Sequence, residues 1–187
     1  MSELTFSQSE RRNFVGPILI ALAVLGIAFA GIYLYMPHRV ANLAVTHTAI
    51  LPTHTVFKTD SRLVGAQDEV QDDLYVLATV RVDDRLHDPL FISDLTGTLT
   101  AQDDTVVTTS AFQKSDLDNL FVTFPALKPL ASAPLARESA IQPGDHAEGM
   151  VLIHFPVTEE VWKQRKSANV NIEFYHQGTF TVTLPKP

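Results

Sequence analysis

An uncharged, apolar segment near the N-terminus constrains the topology of this chain more than any other feature of its sequence. Residues 14–36 form a run of 23 without Asp, Glu, Lys or Arg. As an α-helix rising about 1.5 Å per residue, the run would be roughly 34 Å long, enough to cross the ~30 Å hydrocarbon core of a bilayer. Pro17 lies in its first turn, where proline costs little, and Tyr33 and Tyr35 lie near its end, where amphipathic rings favour the interface. We therefore predict that residues 14–36 are a single transmembrane helix in contact with the lipid bilayer.

Charged residues beside this segment indicate its orientation. Arg11 and Arg12 immediately precede it, whereas only Arg39 lies close to its end. Because basic residues are retained on the cytoplasmic side, residues 1–13 are predicted to be a cytoplasmic tail. Residues 37–187 are then a periplasmic domain outside the cytoplasmic (inner) membrane. The net charge of −7 lies entirely in that domain, since the two basic and two acidic residues of the tail cancel.

Two processing signals overlap this segment, so both cleavage and retention of the segment are considered. The sequence Ala28-Phe29-Ala30 before Gly31 has the small-x-small form that signal peptidase cleaves, and cleavage after Ala30 would release a soluble domain. The apolar run continues past this point, which is more typical of a retained anchor. Residues 10–15, ERRNFV, also resemble a twin-arginine export signal, although the same arginines suit the cytoplasmic end of an anchor. We expect a retained signal anchor.

The composition excludes several classes of protein. A chain with 14 Lys+Arg and 21 Asp+Glu is acidic, whereas nucleic-acid-binding proteins are usually basic, so no nucleic-acid partner is expected. Cysteine is absent, which excludes disulfides, thiolate nucleophiles and Cys-based zinc sites. Hydrophobic residues make up 45% of the chain, which is sufficient for a packed core.

The sequence after the anchor has the two-residue period of β-strands. It is clearest in residues 74–83, where an apolar row of Leu74, Val76, Ala78, Val80 and Val82 alternates with a second row. Further β-rich runs are residues 91–100, 105–112, 147–155, 170–176 and 179–184, with weaker runs at 42–50 and 54–59. These roughly seven to nine strands predict a mainly β fold, an antiparallel Ig-like β-sandwich with one or two short helices.

The alternating rows of three strands predict the core of the sandwich. Its members are Val76, Ala78, Val80, Leu95, Leu99, Val151, Ile153 and Phe155.

Two segments between the strands have helical patterns. Residues 158–166 begin with Thr158 as N-cap, followed by carboxylates in the first turn and basic residues in the last. Residues 115–121 carry a weaker version with Ser115 as cap. The proline-rich residues 125–143 are predicted to form an extended connection across the sandwich.

Three stretches of the sandwich resemble a known group of domains. Residues 75–84 (YVLATVRVDD), 87–99 (HDPLFISDLTGTL) and 140–156 (AIQPGDHAEGMVLIHFP) are similar to the Ig-like domains of the late-embryogenesis-abundant type 2 group and related uncharacterised bacterial membrane-anchored domains. The chain departs from that pattern at Asp83-Asp84, where Asn is often found, and in an insertion at residues 115–138. The resemblance implies the sandwich fold and carries no catalytic residues, and sandwiches host many functions.

Histidines and acidic residues are the candidates for a metal or catalytic site. The seven histidines are His38, His47, His54, His87, His146, His154 and His176. None has the spacing of a helical metal site. We expect the histidines to be exposed or singly hydrogen-bonded; the alternative is that His154 and His176 meet across a sheet, or His47 and His54 across a turn. The acidic groups are Asp68-Glu69 with Asp72-Asp73, Asp83-Asp84 with Asp88, and Asp103-Asp104. They lack the spacing of a calcium loop, and residues 65–73 are interpreted as a solvated loop.

Aromatic residues are concentrated in the second half of the chain. They are Phe121, Phe124, Phe155, Trp162, Phe174 and Tyr175, and we expect them to fill the sandwich and to fix its short helices. Trp162 is expected to be only half-buried, because charged residues surround it on a short helix. There is no GxSxG motif and no glycine-rich phosphate loop, so we predict no catalytic, cofactor-binding or metal-binding residue and no cofactor.

These observations favour a non-enzymatic role. The first hypothesis is a membrane-anchored Ig-like domain that binds or scaffolds other envelope proteins, as an accessory subunit of a membrane complex. The alternative is a module that binds an apolar ligand or lipid between its sheets, as the resemblance would allow. An enzyme with a loop-built site would require several polar groups converging in a cleft, and the sequence does not arrange them.

Overall fold

The apolar segment forms the helix α1 (Val15–Tyr35) in the computed structural model of the chain, which describes residues 15–35, 40–57 and 69–186. Residues 14 and 36, the predicted ends of the anchor, lie outside the described residues. The stretch Val15–Tyr33 is long and apolar enough to span a membrane, and its side chains are exposed all round the helix. The chain divides into two units, Met1–His38 and Arg39–Pro187.

Within the described residues, eight strands and three short helical segments follow α1. The strands are β1 (Ala41–Phe57), β2 (Glu69–Asp84), β3 (Leu90–Thr100), β4 (Val106–Ser110), β5 (Ala140–Ile141), β6 (His146–Phe155), β7 (Ser167–Phe174) and β8 (Gly178–Thr183). The helical segments are α2 (Lys114–Thr123), a 3₁₀ helix (Pro125–Leu130) and α3 (Glu159–Gln164).

The strands pair antiparallel in two sheets. One sheet has the order β1-β2-β6, and the other has the order β4-β3-β7-β8, with β5 paired to the beginning of β3. In immunoglobulin-like sandwiches, strands A, B and E share one sheet and strands C, F and G the other. Here β1, β2 and β6 form the first set and β3, β7 and β8 the second, with β4 as an added edge strand. The predicted fold class, a mainly β antiparallel sandwich, is therefore confirmed.

The predicted core residues are all buried. Val76, Ala78, Val80, Ile153 and Phe155 are at most 1% exposed and pack with the inward rows of β3 and β7 in a single cluster. The two sheets approach closely at Gly97 of β3, where an added Cβ would lie 2.6 Å from Cγ2 of Ile153. These side chains fill the space between the sheets, so an apolar ligand there would require the sheets to separate.

A helical layer covers part of the outer face of the three-stranded sheet. Leu117 and Leu120 of α2 and Leu127 of the 3₁₀ helix are buried against Tyr75 and Leu77 of β2. The second row of β2 is therefore also buried, which explains why it includes large apolar residues. Two expectations are corrected here. The N-cap of α2 is Gln113 instead of Ser115, and the proline-rich connection begins with a 3₁₀ helix because Pro125 occupies its first turn.

The first strand also differs from its prediction. The two weak runs at 42–50 and 54–59 form one 17-residue strand, β1, as far as Phe57, and residues 58–59 lie outside the described residues. β1 is an edge strand of its sheet, which accommodates Pro52, since proline has no N–H to donate to a neighbouring strand. A register shift between Val45 and His47 places a β-bulge at Thr46.

Candidate functional site

Two histidine–aspartate pairs lie at one end of the three-stranded sheet. His54 Nδ1 of β1 is 2.6 Å from Asp72 Oδ1, and His154 Nε2 of β6 is 2.7 Å from Asp73 Oδ1. Successive residues of a strand point to opposite faces, so Asp72 and Asp73 present their carboxylates on opposite sides of the sheet. The pairs are therefore two separate contacts that tie β1 and β6 to β2.

The two pairs differ in their burial. The Asp73 side chain is 11% exposed and also accepts a hydrogen bond from Gln71 Nε2 at 3.2 Å, whereas the Asp72 side chain is 38% exposed. Residues 65–73 were interpreted as a solvated loop, and this is wrong for Glu69 to Asp73, which belong to β2. Asp72 and Asp73 are accommodated in a strand because His54 and His154, which are distant in sequence, pair with their carboxylates. Residues 65–68 lie outside the described residues.

An acidic surface cavity adjoins these pairs. It has a volume of about 350 Å³ and is lined by Asp72 and Asp73 on one side and by the beginning of α3 on the other, with its N-cap Thr158 and the carboxylates Glu159 and Glu160. No group of three or more His, Cys, Asp or Glu residues with metal-binding geometry occurs within residues 15–35, 40–57 and 69–186. Over the same ranges, no side-chain hydroxyl is hydrogen-bonded to either imidazole of the two pairs. As described, the arrangement serves to hold strands together.

Neither of the two alternative histidine contacts is formed. His47 and His54 lie on the same strand, β1, so no turn brings them together. His154 lies in β6 of the three-stranded sheet, whereas His176 follows β7 of the other sheet, with a φ of 62°. Of the remaining histidines, His146 lies 3.5 Å from Asp145 on the surface, and His38 lies outside the described residues.

The other acidic clusters lie at the end of β2 and in the turns that follow strands. Asp84 is buried and accepts a hydrogen bond from the backbone N–H of Leu86 at 2.7 Å. The N–H of Thr105 donates to Asp103, and this hydrogen bond lowers the pKa of that carboxyl group. Asp104 has a φ of 68° and its carboxylate accepts from Lys166. These geometries agree with the turn chemistry that was expected for them.

Tyr75 packs between the helical layer and the second histidine pair. Its ring centroid lies 4.9 Å from that of Phe124 and 5.2 Å from that of His154. Burial, with a smaller contribution from the Asp73 carboxylate, raises the pKa of the Tyr75 phenol above its ordinary value. The phenol therefore stays protonated to higher pH in the folded protein than in the unfolded chain.

Trp162 is fully buried, which corrects the expectation of half burial. It is 2% exposed, and its ring lies beside Phe155 and beneath the guanidinium of Arg165, whose Cζ is 3.8 Å from the ring centroid. Arg165 is itself fully buried and donates to the carbonyl oxygens of Trp162 (2.7 Å) and Pro185 (2.5 Å). Burial lowers its pKa. Arg165, one of the charged residues near Trp162 in the sequence, is therefore the residue that covers its ring.

The outer face of the four-stranded sheet carries a row of hydroxyl and amide groups. Thr181 Oγ1 of β8 donates to Asn171 Oδ1 of β7 at 2.9 Å, and Asn171 Nδ2 donates to Thr98 Oγ1 of β3 at 2.8 Å. Thr98 Oγ1 lies 3.4 Å from Thr108 Oγ1 of β4. One hydrogen-bonded chain thus crosses all four strands.

This polar face was not predicted as a site, although the sequence contains its signal. The strands repeat small polar residues at every second position, as in Thr96-x-Thr98-x-Thr100, Asn169-x-Asn171 and Thr179-x-Thr181-x-Thr183. This two-residue period indicates which residues face outward. It does not indicate that the three segments lie side by side in one sheet.

Two exposed aromatic residues lie at one end of the same face. Phe91 is 46% and Tyr175 is 51% exposed, and the N–H of Tyr175 donates to the carbonyl oxygen of Phe91 at 3.0 Å. Phe91 directly precedes Ile92 and Tyr175 directly follows Phe174, and Ile92 and Phe174 are register partners with buried side chains. Phe91 and Tyr175 therefore both point outward. The expectation that the aromatic residues fill the sandwich holds for Phe155, Trp162 and Phe174 and is wrong for Tyr175.

Comparisons with known proteins give no family for this chain. No protein-family model matches it, and no curated protein matches it. An X-ray structure of the Northeast Structural Genomics Consortium target SoR45 is similar over 74% of this chain and 82% of its own, with 4% identity and a TM-score of 0.33. A conserved hypothetical protein from Bacillus anthracis is similar over 80% of this chain and 100% of its own, with 6% identity and a TM-score of 0.29. Likenesses this low bear on neither fold nor function.

Proposed function

We propose that this chain is a single-pass, membrane-anchored and non-enzymatic Ig-like domain that binds or scaffolds other envelope proteins as an accessory subunit of a membrane complex. Residues 14–36 hold it in the cytoplasmic membrane, residues 1–13 lie in the cytoplasm, and residues 37–187 lie outside.

The observation that carries the proposal is the surface of α1. Every side chain from Val15 to Tyr33 is exposed, and the stretch contains no charge. A helix that is apolar all round requires an apolar environment, which a bilayer supplies. The flanking Arg11 and Arg12 support the assigned orientation.

The helical layer offers a surface for a protein partner. Val122, in the last turn of α2, is 81% exposed, and Leu130, at the end of the 3₁₀ helix, is 38% exposed. Exposed apolar side chains on a helical surface are typical of protein contacts. We assign the partner contact to this layer.

The topology is tested with single cysteines, because the natural chain has none. Asp103→Cys and Ser7→Cys variants are exposed to a membrane-impermeant maleimide in spheroplasts. We expect Asp103→Cys to react in intact spheroplasts and Ser7→Cys to react only after lysis. The opposite pattern, or an extracted protein whose N-terminus is Gly31, would contradict the anchor.

The partner contact is tested by co-purification of the detergent-extracted full chain from its native membrane. We expect Val122→Asp to lose a protein that the unmodified chain retains, because a charge is placed in an apolar contact. Val106→Asp is the matched control, since Val106 is 59% exposed but lies on β4, away from α2. Equal loss in both variants would contradict the assignment to the helical layer.

A further inference from the structure

We propose that the outer face of the four-stranded sheet binds a neutral polysaccharide. Phe91 and Tyr175 stack against sugar rings, and the hydroxyl and amide row hydrogen-bonds to sugar hydroxyls. This inference goes beyond protein association. It rests on the proposed function only for the location of the domain, outside the membrane, where cell-envelope polysaccharides are found.

The aromatic pair supplies the apolar part of the site. Phe91 lies in β3 and Tyr175 lies in the turn directly after β7, and the hydrogen bond from the Tyr175 N–H to the Phe91 carbonyl oxygen holds the two residues side by side. Each ring is about half exposed. The C–H faces of a pyranose ring are apolar and pack on an aromatic ring while the hydroxyl groups at the ring edge stay polar. Two exposed aromatic rings at one end of the face therefore offer apolar contacts for sugar rings.

The hydrogen-bonded row supplies the polar part. Asn171 uses its carbonyl oxygen and amide group within the row, which fixes the orientation of Thr98 and Thr181 beside it. Each hydroxyl group has one donor and two acceptor positions, so the row retains capacity for a ligand. Hydroxyl groups fixed in this way lose little conformational entropy when they bind a sugar.

The charge of the face selects a neutral ligand. Its outward residues in β3, β4, β7 and β8 include no Lys or Arg, so nothing on it attracts a polyanion. The two carboxylates are Asp94 and Glu173, which are register partners, and Asp94 is paired with Arg137 at 2.9 Å. Along β3 the face extends roughly 30 Å from Phe91 to Thr100, at about 3.3 Å per residue, so it accommodates several sugar units.

The test uses the full chain in nanodiscs, incubated with pelletable cellulose, chitin or (1→3)-β-glucan, with empty nanodiscs as background. We expect retention on at least one polymer and elution by a soluble oligosaccharide of that polymer. Phe91→Ser combined with Tyr175→Ser should weaken retention about tenfold or more, and Asn171→Ala should weaken it as well. Ala44→Ser is the control, because Ala44 is exposed on β1 of the other sheet, and it should bind like the unmodified chain.

Three outcomes would overturn the proposal. The first is no retention on any of the three polymers, and the second is unchanged retention in the Phe91 and Tyr175 double variant. The third is self-association of the chain that the same double variant abolishes, with no retention on polysaccharide, which would assign the face to a second copy. If the double variant does not fold, the single variant Tyr175→Ser tests the proposal in its place, because it changes only an exposed side chain. None of these outcomes depends on Val122 or on a protein partner, so failure here is distinct from failure of the proposed function.

Discussion

At the scale of single residues, Arg165 shows how a charge is accommodated inside this sandwich. A buried guanidinium is costly unless its N–H groups find acceptors and its plane finds a partner. Two carbonyl oxygens and the face of Trp162 satisfy these requirements, and the Pro185 carbonyl lies 20 residues away in sequence. The side chain thereby fixes both α3 and the segment after β8. Its Nε has no hydrogen-bond partner, which leaves part of the cost uncompensated.

Arg165→Ala is expected to lower the free energy of unfolding by about 2–4 kcal/mol. It removes the hydrogen bonds to the carbonyl groups of Trp162 and Pro185 and leaves a space beside Trp162. Urea unfolding followed by tryptophan fluorescence measures this, because Trp162 is the only tryptophan. Lys163→Ala, on the same helix but with an exposed side chain, should change stability little. Equal effects in the two variants would show that the buried contacts of Arg165 do not stabilise the fold.

Tyr75 is expected to make the folded state sensitive to alkali. Its pKa is raised in the folded protein above the ordinary value of 10.0, so below that pH both states keep the proton and the phenol contributes fully. As pH rises above 10, the unfolded chain releases the proton first, and stability falls. The difference in urea midpoint between the unmodified chain and Tyr75→Phe should be constant up to about pH 9 and should shift in favour of Tyr75→Phe by about pH 11. A difference independent of pH would contradict this environment for the phenol.

At the scale of secondary-structure elements, the outer edge of β6 is closed by two passing segments. The N–H of Leu135 donates to the carbonyl oxygen of Met150, and the N–H of Met150 donates to Ala133. The N–H of Phe112 donates to the carbonyl oxygen of Leu152. The first of these segments crosses Gly149 so closely that an added Cβ would lie 2.5 Å from the backbone nitrogen of Leu135.

Gly149→Ala is therefore expected to destabilise the domain by about 1–3 kcal/mol, because backbone atoms must move to make room. Hydrogen exchange should show the N–H groups of Leu135 and Met150 losing protection before those in the centre of β2. Glu148→Ala, at the neighbouring exposed position, serves as the control. Unchanged protection at Leu135 in Gly149→Ala would show that the segment tolerates the added methyl group.

The sequence predicted individual strands well because their signal is local. The alternation of Val76, Ala78 and Val80 specifies a strand and its buried face without knowledge of its neighbours. The same alternation does not predict contacts that depend on topology. The pairing of Asp73 with His154 joins residues 81 positions apart, and the burial of Leu77 requires a helical layer formed by α2. Such contacts follow only when the order of strands is known.

At the scale of the whole molecule, stability depends on the cluster that both sheets share. Inward rows from β2, β3, β6 and β7 meet in one core, whereas the helical layer has a smaller cluster of its own on the other side of the three-stranded sheet. A change at the centre of β2 therefore affects both sheets at once. Native domains are stable by only about 5–15 kcal/mol, so one buried charge there can exceed the total.

Val80 is fully buried. Val80→Asp is accordingly expected to prevent the sandwich from folding, so that heating shows no cooperative unfolding transition. Ala44→Asp is the control. Ala44 is exposed on β1 opposite Arg81, so its new carboxylate meets water and a basic neighbour. Near-ultraviolet circular dichroism during heating distinguishes the two variants. A sharp transition retained in Val80→Asp would contradict the assigned core.

Pro52 and the bulge at Thr46 have a consequence for copies of the chain that share one membrane. Under the proposed topology the sandwiches are confined to a thin layer, where they meet far more often than they would in free solution. At such a density, a regular 17-residue edge strand would pair with the edge strands of other copies. Repeated pairing of this kind would produce fibrils along the membrane surface. The missing N–H and the bulge interrupt the row of backbone groups that would template it. The long edge strand can therefore be displayed at high density without polymerising.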